Sequence, residues 1–318
     1  MYSLGFDIGG TKCAAVLGKG VLPEKNEDFI IDKIRFETKT ERGWRVILDE
    51  LFSSAEELLR RNGVGKNELI GIGISCGGPL NSRTGTIHCP PNLPDWDNVP
   101  IVAMTEKRFG VKTALQNDAN ACAVAEWRFG AGRGLNDLVF LTFGTGMGAG
   151  LILDGRLYSG ACDMAGEVGH IRLEKDGPEG YGKKGSFEGF CSGGGIARLA
   201  AAMTEETVKN GGKTMLSDME ISAKTVSDAA KAGDETARNV YRVCAEKLGA
   251  ALSVLIDILN PEAIVIGSIY SRDRALFDDI IAGVIRKEAL SYSAQVCRIL
   301  PAELGNSIGD YAALGLAF

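Results

Sequence analysis

Two hydrophobic periods alternate along this chain. Leu4 to Ile8 and Cys13 to Leu17 are short apolar runs of strand length, and residues 1–36 read as a series of strands. Between 43 and 61, Val46, Ile47, Leu51, Phe52, Leu58 and Leu59 recur at roughly helical spacing and predict a helix. Leu69 to Ser75 predicts a strand closed by the turn Cys76-Gly77-Gly78-Pro79. A polar loop follows over 81–92, with a hairpin at Gly85, and the prolines of Pro90 to Trp96 predict a rigid, exposed loop. Val102 to Phe109 reads as a short helix, Thr113 to Gln116 as a strand, and Ala119 to Phe129 as an Ala-rich helix. A hairpin is expected over 141–153, and residues 174–187 lack any period and read as a loop. From about Ile196 to 260 the pattern is mostly helical, most clearly over Val240 to Leu259, which Asn260-Pro261 ends. Ala263 to Ile266 predicts a buried strand, 277–290 a helix, 294–300 a strand and 309–318 a final apolar helix.

Chemistry enters at the turns. Phe6-Asp7-Ile8-Gly9-Gly10-Thr11-Lys12 is echoed by Phe143-Gly144-Thr145-Gly146, and each turn lies between two apolar runs. Glycine admits close backbone approach to an anion, and exposed N–H groups with threonine hydroxyls can hold phosphate oxygens. A single Gly-rich turn is more often a plain hairpin; two of them, one carrying Asp7, point to a nucleotide-phosphate clamp. No Gly-x4-Gly-Lys-Ser/Thr loop is present, and a strand, not a helix, follows Gly144-x-Gly146, which excludes a P-loop and a Rossmann site. Asn117-Asp118 stands where a strand meets a helix. Asp118 there is either a catalytic acid or base or the helix N-cap, and local sequence leaves both open. Glu167 and His170, three apart in a Gly-rich segment, could face one pocket or be a surface Glu and a satisfied His.

Composition narrows the classes. The chain has 318 residues, is 45% hydrophobic and 24% charged, and is long enough for two domains. Its net charge of -6 argues against nucleic-acid binding through a broad basic face. No long apolar run spans a bilayer, and the start, Met1 to Gly5, carries no signal-peptide pattern, so a cytoplasmic protein without membrane contact is expected. The 8 cysteines form no Cys-x-x-Cys pair and read as free thiols.

Six motifs, in order, carry a resemblance: Asp7-Ile8-Gly9-Gly10-Thr11-Lys12, Gly77-Gly78-Pro79, Asn92 to Trp96, Asn117-Asp118-Ala119-Asn120-Ala121, Gly144-Thr145-Gly146-Met147-Gly148 and Gly166-Glu167-Val168-Gly169-His170. Together they resemble the ROK family of bacterial glucokinases, related sugar kinases and sugar-responsive repressors. The resemblance implies an α/β, actin-like (ribonuclease H-like) ATPase fold with two α/β domains around a cleft. The smaller domain would be 1–117 plus 303–318, the larger 118–302. It implies ATP-dependent phosphorylation of a hexose, normally at the 6-hydroxyl, with Asp118 as catalytic base. Gly78, Asn92, Asn117, Asp118, Glu167, His170 and Glu188 would bind the sugar. Asp7, Gly9, Gly10, Thr11, Lys12, Thr142, Gly144, Thr145, Gly146 and Gly267 would serve the nucleotide, and Asp7 would hold Mg2+ through water. Gly267-Ser268 stands where the family has Gly-Gly. Many relatives bind zinc through the His of Gly-x-x-Gly-His and three Cys; here Glu179, Tyr181 and Ser186 occupy the Cys positions, so no zinc site is expected despite His170. Glucose is the first substrate expected, with an N-acylhexosamine (N-acetylglucosamine or N-acetylmannosamine), allose or fructose as alternatives. A non-catalytic sugar-binding regulator is the competing class, against which stand Asp118 and the start of the first phosphate strand at Leu4, with no helix-turn-helix before it. The family also implies a homodimer.

Overall fold

The computed structural model describes residues 1–23 and 29–318; the part of the expected strand run over 24–28 lies outside the described residues. Two five-stranded sheets organise the chain. The first contains β1 (Tyr2–Ile8), β2 (Lys12–Lys19), β3 (Ile30–Glu37), β4 (Leu69–Cys76) and β5 (Thr113–Asn117) in the order β3-β2-β1-β4-β5. The second contains β6 (Leu138–Phe143), β7 (Met147–Leu153), β8 (Arg156–Tyr158), β9 (Ala263–Ile266) and β10 (Arg298–Pro301) in the order β8-β7-β6-β9-β10. Adding five to each label of the first order yields the second, so the echo of the two glycine turns is an echo of whole sheets. In the first, β1, β2 and β3 pair antiparallel, while β1, β4 and β5 run parallel.

The main helices are α1 (Trp44–Arg61), α2 (Ile101–Phe109), α3 (Asp118–Phe129), α4 (Gly193–Lys209), α5 (Ala223–Ala232), α6 (Glu235–Leu259), α7 (Asp278–Glu288) and α8 (Ile308–Gly315). Among the described residues, no helix is long and apolar enough to cross a membrane. The chain divides into two compact units: residues 1–134, 150–165 and 303–318, and residues 135–149 and 166–302. The division falls inside β7, and α3 stays with the first unit instead of opening the second at 118.

The reason α3 stays is packing. Cys13, Ala15 and Leu17 of β2 share a core with Ile47, Leu51 and Leu58 of α1, whereas Ala14 and Val16 share another with Ala121, Ala125 and Phe129 of α3 and with Tyr311 and Leu314 of α8. Alternate residues of one strand thus feed two cores. That is why β1 and β2 read as unbroken apolar runs, since a sheet covered on both faces needs no polar side. Glycines set how closely the helices approach. A methyl on Gly150 would lie 2.5 Å from Ala123 Cβ and 2.6 Å from Ala119 O. Gly150→Ala is therefore expected to push α3 outward and lower unfolding free energy by about 1–3 kcal/mol, the usual cost of overpacking; urea denaturation reads this directly, and an unchanged midpoint would contradict it.

Three expectations need correction. The loop from Pro90 to Trp96 is not simply exposed: Leu93 and Trp96 are buried in the first core. The predicted strand over 294–300 is a helix over Ser291–Val296 followed by β10, which starts only at Arg298 because its parallel partner β9 has four residues to offer. The helix expected from Ile196 begins at Gly193, capped by Ser192 Oγ, which accepts from Gly195 N at 2.9 Å. The hairpin at Gly85 is present as a short antiparallel pair, Leu80–Asn81 with Thr86–Ile87.

Candidate active site

In the first unit the candidates gather at the carboxyl ends of three parallel strands. The register aligns Ile8, Cys76 and Asn117 across β1, β4 and β5. The turns that follow these residues therefore emerge side by side, the usual location of ligand sites in open parallel sheets. A methyl on Gly78 would rest 4.0 Å from Asn117 Cβ, and one on Gly10 would fall 2.3 Å from Asn92 O. Gly10 is thus obliged to be glycine by the Asn92 backbone, which joins a phosphate-turn candidate to a sugar candidate. The Gly9–Lys12 turn is closed by Gly9 N donating to Lys12 O at 3.0 Å and braced by Thr38 Oγ1 donating to Gly9 O at 2.6 Å. Thr11 and Lys12 remain exposed.

The structure removes the N-cap reading of Asp118. Asn117 is the N-cap: its Oδ1 accepts from Asn120 N at 2.8 Å. Asp118 is the first helical residue, and its Oδ1 accepts from Ala119 N at 2.8 Å. With the cap role taken by its neighbour, Asp118 is not needed to end the helix. Its carboxylate is exposed by area, yet it stands amid enough protein that desolvation raises its pKa, against the lowering by the backbone N–H groups of Ala119 and its own residue. Asp7, partly buried on β1, is pushed up to about 6 by desolvation first, then by Asp310 and Asp118, against Lys12 and Lys33. Asp310 on α8 accepts from Lys33 Nζ at 2.7 Å. Sequence reading missed this pair; the one signal was a charged residue inside an otherwise apolar final helix.

The second unit holds its own set. Thr142 Oγ1 accepts from Gly148 N at 2.9 Å across the β6–β7 turn, and Gly144 N donates to Gly146 O at 3.2 Å. Thr145 at the tip is exposed. Gly193 N donates to Gly144 O at 2.8 Å, so the glycine-rich start of α4 abuts this turn. Glu188 lies against it too: its Oε2 accepts from Met147 N at 3.0 Å, and its Cβ would stand 3.3 Å from a methyl on Gly169. Glu188 therefore joins the 144–147 turn to the Gly169-His170 segment. Glu167 and His170 are both exposed.

The segment with Glu179, Tyr181 and Ser186 closes on itself without cysteines. Glu179–Gly180 pairs with Lys183–Lys184, Ser186 Oγ donates to Gly180 O at 3.3 Å, and Lys183 Nζ donates to His170 O at 2.7 Å. Tyr181 meets the His170 ring edge-on at 6.0 Å.

Gly267 N donates to Leu141 O at 3.0 Å, and a methyl on Gly144 would lie 3.4 Å from Ser268 Oγ, so the Gly267-Ser268 turn sits beside the Gly144 turn. Ser268 holds φ 56 and ψ −108, a conformation glycine adopts freely and serine does not, with no side-chain capping bond in return. Ser268→Gly is expected to raise unfolding free energy by about 1 kcal/mol, relief of strain outweighing the entropy glycine adds to the unfolded chain; a lower thermal midpoint would refute the strain.

Among the described residues no three His, Cys, Asp or Glu side chains gather as a metal cage. Asp7 alone, carrying excess negative charge from Asp310 and Asp118 nearby, suits a cation that keeps most of its waters and takes its other ligands from phosphate.

The ROK family model matches residues 3–317. The chain is 32% identical to the glucokinase of Streptomyces coelicolor, over 99% of this chain and 97% of that one. It is 31% identical to the xylose repressor of Caldicellulosiruptor bescii, over 76% of this chain and 61% of that one. Its structure is similar to the crystal structure of a ROK family glucokinase from Streptomyces griseus in complex with glucose and AMPPNP, with a TM-score of 0.75, 31% identity, and coverage of 100% and 99% of the two chains. Fold and motifs together define a mixed α/β protein of the actin-like ATPase class. Within that class, the chain belongs to the ROK family.

Proposed function

We propose that this protein is an ATP-dependent hexose kinase that phosphorylates the 6-hydroxyl, with glucose as the first substrate and Asp118 as the base. The observation that carries this reading is Asp118 itself. Its carboxylate is accessible, relieved of capping by Asn117, desolvated, and placed at the carboxyl end of parallel strand β5, which β4 separates from the Asp7 strand β1. A sugar hydroxyl is a weak nucleophile, and a carboxylate within hydrogen-bond reach both orients it and accepts its proton. In this reading Asn92, Asn117 through its Nδ2, and Gly78 of the first unit, with Glu167, His170 and Glu188 of the second, serve the sugar. Gly9, Gly10, Thr11 and Lys12 of the first unit, with Thr142, Gly144, Thr145, Gly146 and Gly267 of the second, serve the nucleotide. Asp7 would hold Mg2+, which neutralises phosphate charge when bound. The similarity to glucokinases, one of them solved with glucose and AMPPNP, supports the choice of sugar and donor. The similarity to a xylose repressor supports a second reading, a regulator that binds sugar without turning it over.

A coupled ADP-release assay with Mg2+ and ATP against glucose, N-acetylglucosamine, N-acetylmannosamine, allose, mannose and fructose decides between them. Turnover greatest on glucose supports the proposal. Turnover greatest on an N-acylhexosamine, allose or fructose keeps the kinase and replaces the substrate. Saturable sugar binding by calorimetry with no turnover on any member selects the regulator. As a homodimer is proposed by family resemblance alone, sedimentation of the purified chain tests it independently.

A further inference from the structure

The first unit contains a cavity of about 470 Å³ that Asp118 does not line. Its wall includes three guanidinium side chains, Arg83, Arg128 and Arg156, two aromatic rings, Trp127 and Phe318, and, among the described residues, no Asp or Glu side chain. The volume falls in the range of small-metabolite sites. A guanidinium buried in such a wall is costly unless something answers its charge.

Two of the three are partly answered. Arg83 Nη2 donates to Gly160 O at 3.2 Å, and Arg156 pairs with Asp154 at 3.0 Å in an exposed contact. Arg128 is different. Its Nε is buried without a hydrogen-bond partner, and among the described residues it forms no ion pair. Burial pulls its pKa down. Its guanidinium carbon lies 5.5 Å from the Trp127 ring and 5.7 Å from the Phe318 ring. Cation–π contacts hold the charge in place, but they supply no acceptor for its N–H groups. A buried donor left unmet in a cavity rich in like charge is what an anion site looks like before its anion arrives. Guanidinium forks match phosphate oxygens in geometry as well as charge, and flanking rings favour a flat body over a polyol.

We propose that this cavity binds a phosphomonoester dianion carried on a small planar ring, with Arg128 as the anchor and Arg83 and Arg156 at its margin. The site is separate from the proposed kinase site and stands or falls without it.

Calorimetric titration of phenyl phosphate into the full-length chain, without sugar or nucleotide, tests the proposal. Saturable binding with a Kd below about 1 mM is expected. Arg128→Gln should weaken it about tenfold or more, the loss of charge-assisted hydrogen bonds. Asp118→Asn should leave it unchanged. Should Arg128→Gln fail to fold, Arg83→Gln, at an exposed position, carries the test with a several-fold loss expected. Absence of saturation up to about 10 mM, or equal affinity in folded Arg128→Gln and Arg83→Gln, overturns the site. Glycerol 3-phosphate binding as tightly as phenyl phosphate overturns the planar-ring requirement.

Discussion

Asp118→Asn is expected to lower kcat for sugar phosphorylation by about 10²–10⁴-fold, the range of a lost general base. Sugar affinity should change little, because the amide still offers one acceptor where the carboxylate had two. The fold should not suffer either. Asp118 is not the helix cap, and its bond from Ala119 N to Oδ1 can be kept by the amide oxygen. The direction of its pKa shift adds a sign. A carboxyl whose folded pKa is raised above its unfolded value binds protons more tightly in the native state, so its ionisation near neutral pH works against folding. Removing it should leave the thermal midpoint level or slightly higher. The pH profile carries the finer test. Wild-type kcat should rise with pH through an apparent pKa above the ordinary aspartate range, and this limb should vanish from the residual activity of the variant. Asp118 is among the groups that raise Asp7, after burial and Asp310. Activity within about tenfold of wild type would remove Asp118 from the role of base.

Asp7→Asn should stabilise the ligand-free protein and abolish its Mg2+-dependent turnover together. Asp7 is raised from 3.8 to about 6 by burial and by Asp310 and Asp118. The stability its proton contributes is fully present below the unfolded pKa and is lost as pH rises through about 6. Above that, the ionised carboxylate opposes folding by a constant amount, about 1–3 kcal/mol for a shift of this size. Asparagine has the same shape and no charge. At pH 7.5 without metal or nucleotide, the variant should unfold a few degrees higher than wild type, and at pH 4 the two should converge. Gain of stability with loss of activity marks a group kept for function against the interest of the fold. A variant less stable than wild type at pH 7.5 would show that the carboxylate is structural.

Much of this molecule was legible in one dimension. The helix over 44–61 follows from apolar spacing, since a 3.6-residue period has few other solutions. The two phosphate-type turns follow from glycine and threonine between apolar runs, and the matching strand orders of the two sheets extend that echo. The order of six short motifs pointed to the family whose model matches residues 3–317.

What escaped depended on contacts distant in sequence. Residues 294–300 read as one strand, but their first part is helical and pairing with β9 begins only at Arg298. Trp96 lies in a proline-rich segment that looks exposed until the core that receives it is known. Asn117 and Asp118 are equally able to cap a helix, and only backbone geometry assigned the cap to Asn117 and made Asp118 the first helical residue. The raised pKa of Asp7 comes from burial and from Asp310, 303 positions away on the final helix. The arginine cavity joins residues near 83, 128, 156 and 318, whose separations carry no periodic signal. Local sequence determined the turns, the helical faces and the family; burial and long-range charge, which arise only when remote segments share one volume, decided which of the candidate groups are strained, desolvated or left without a partner.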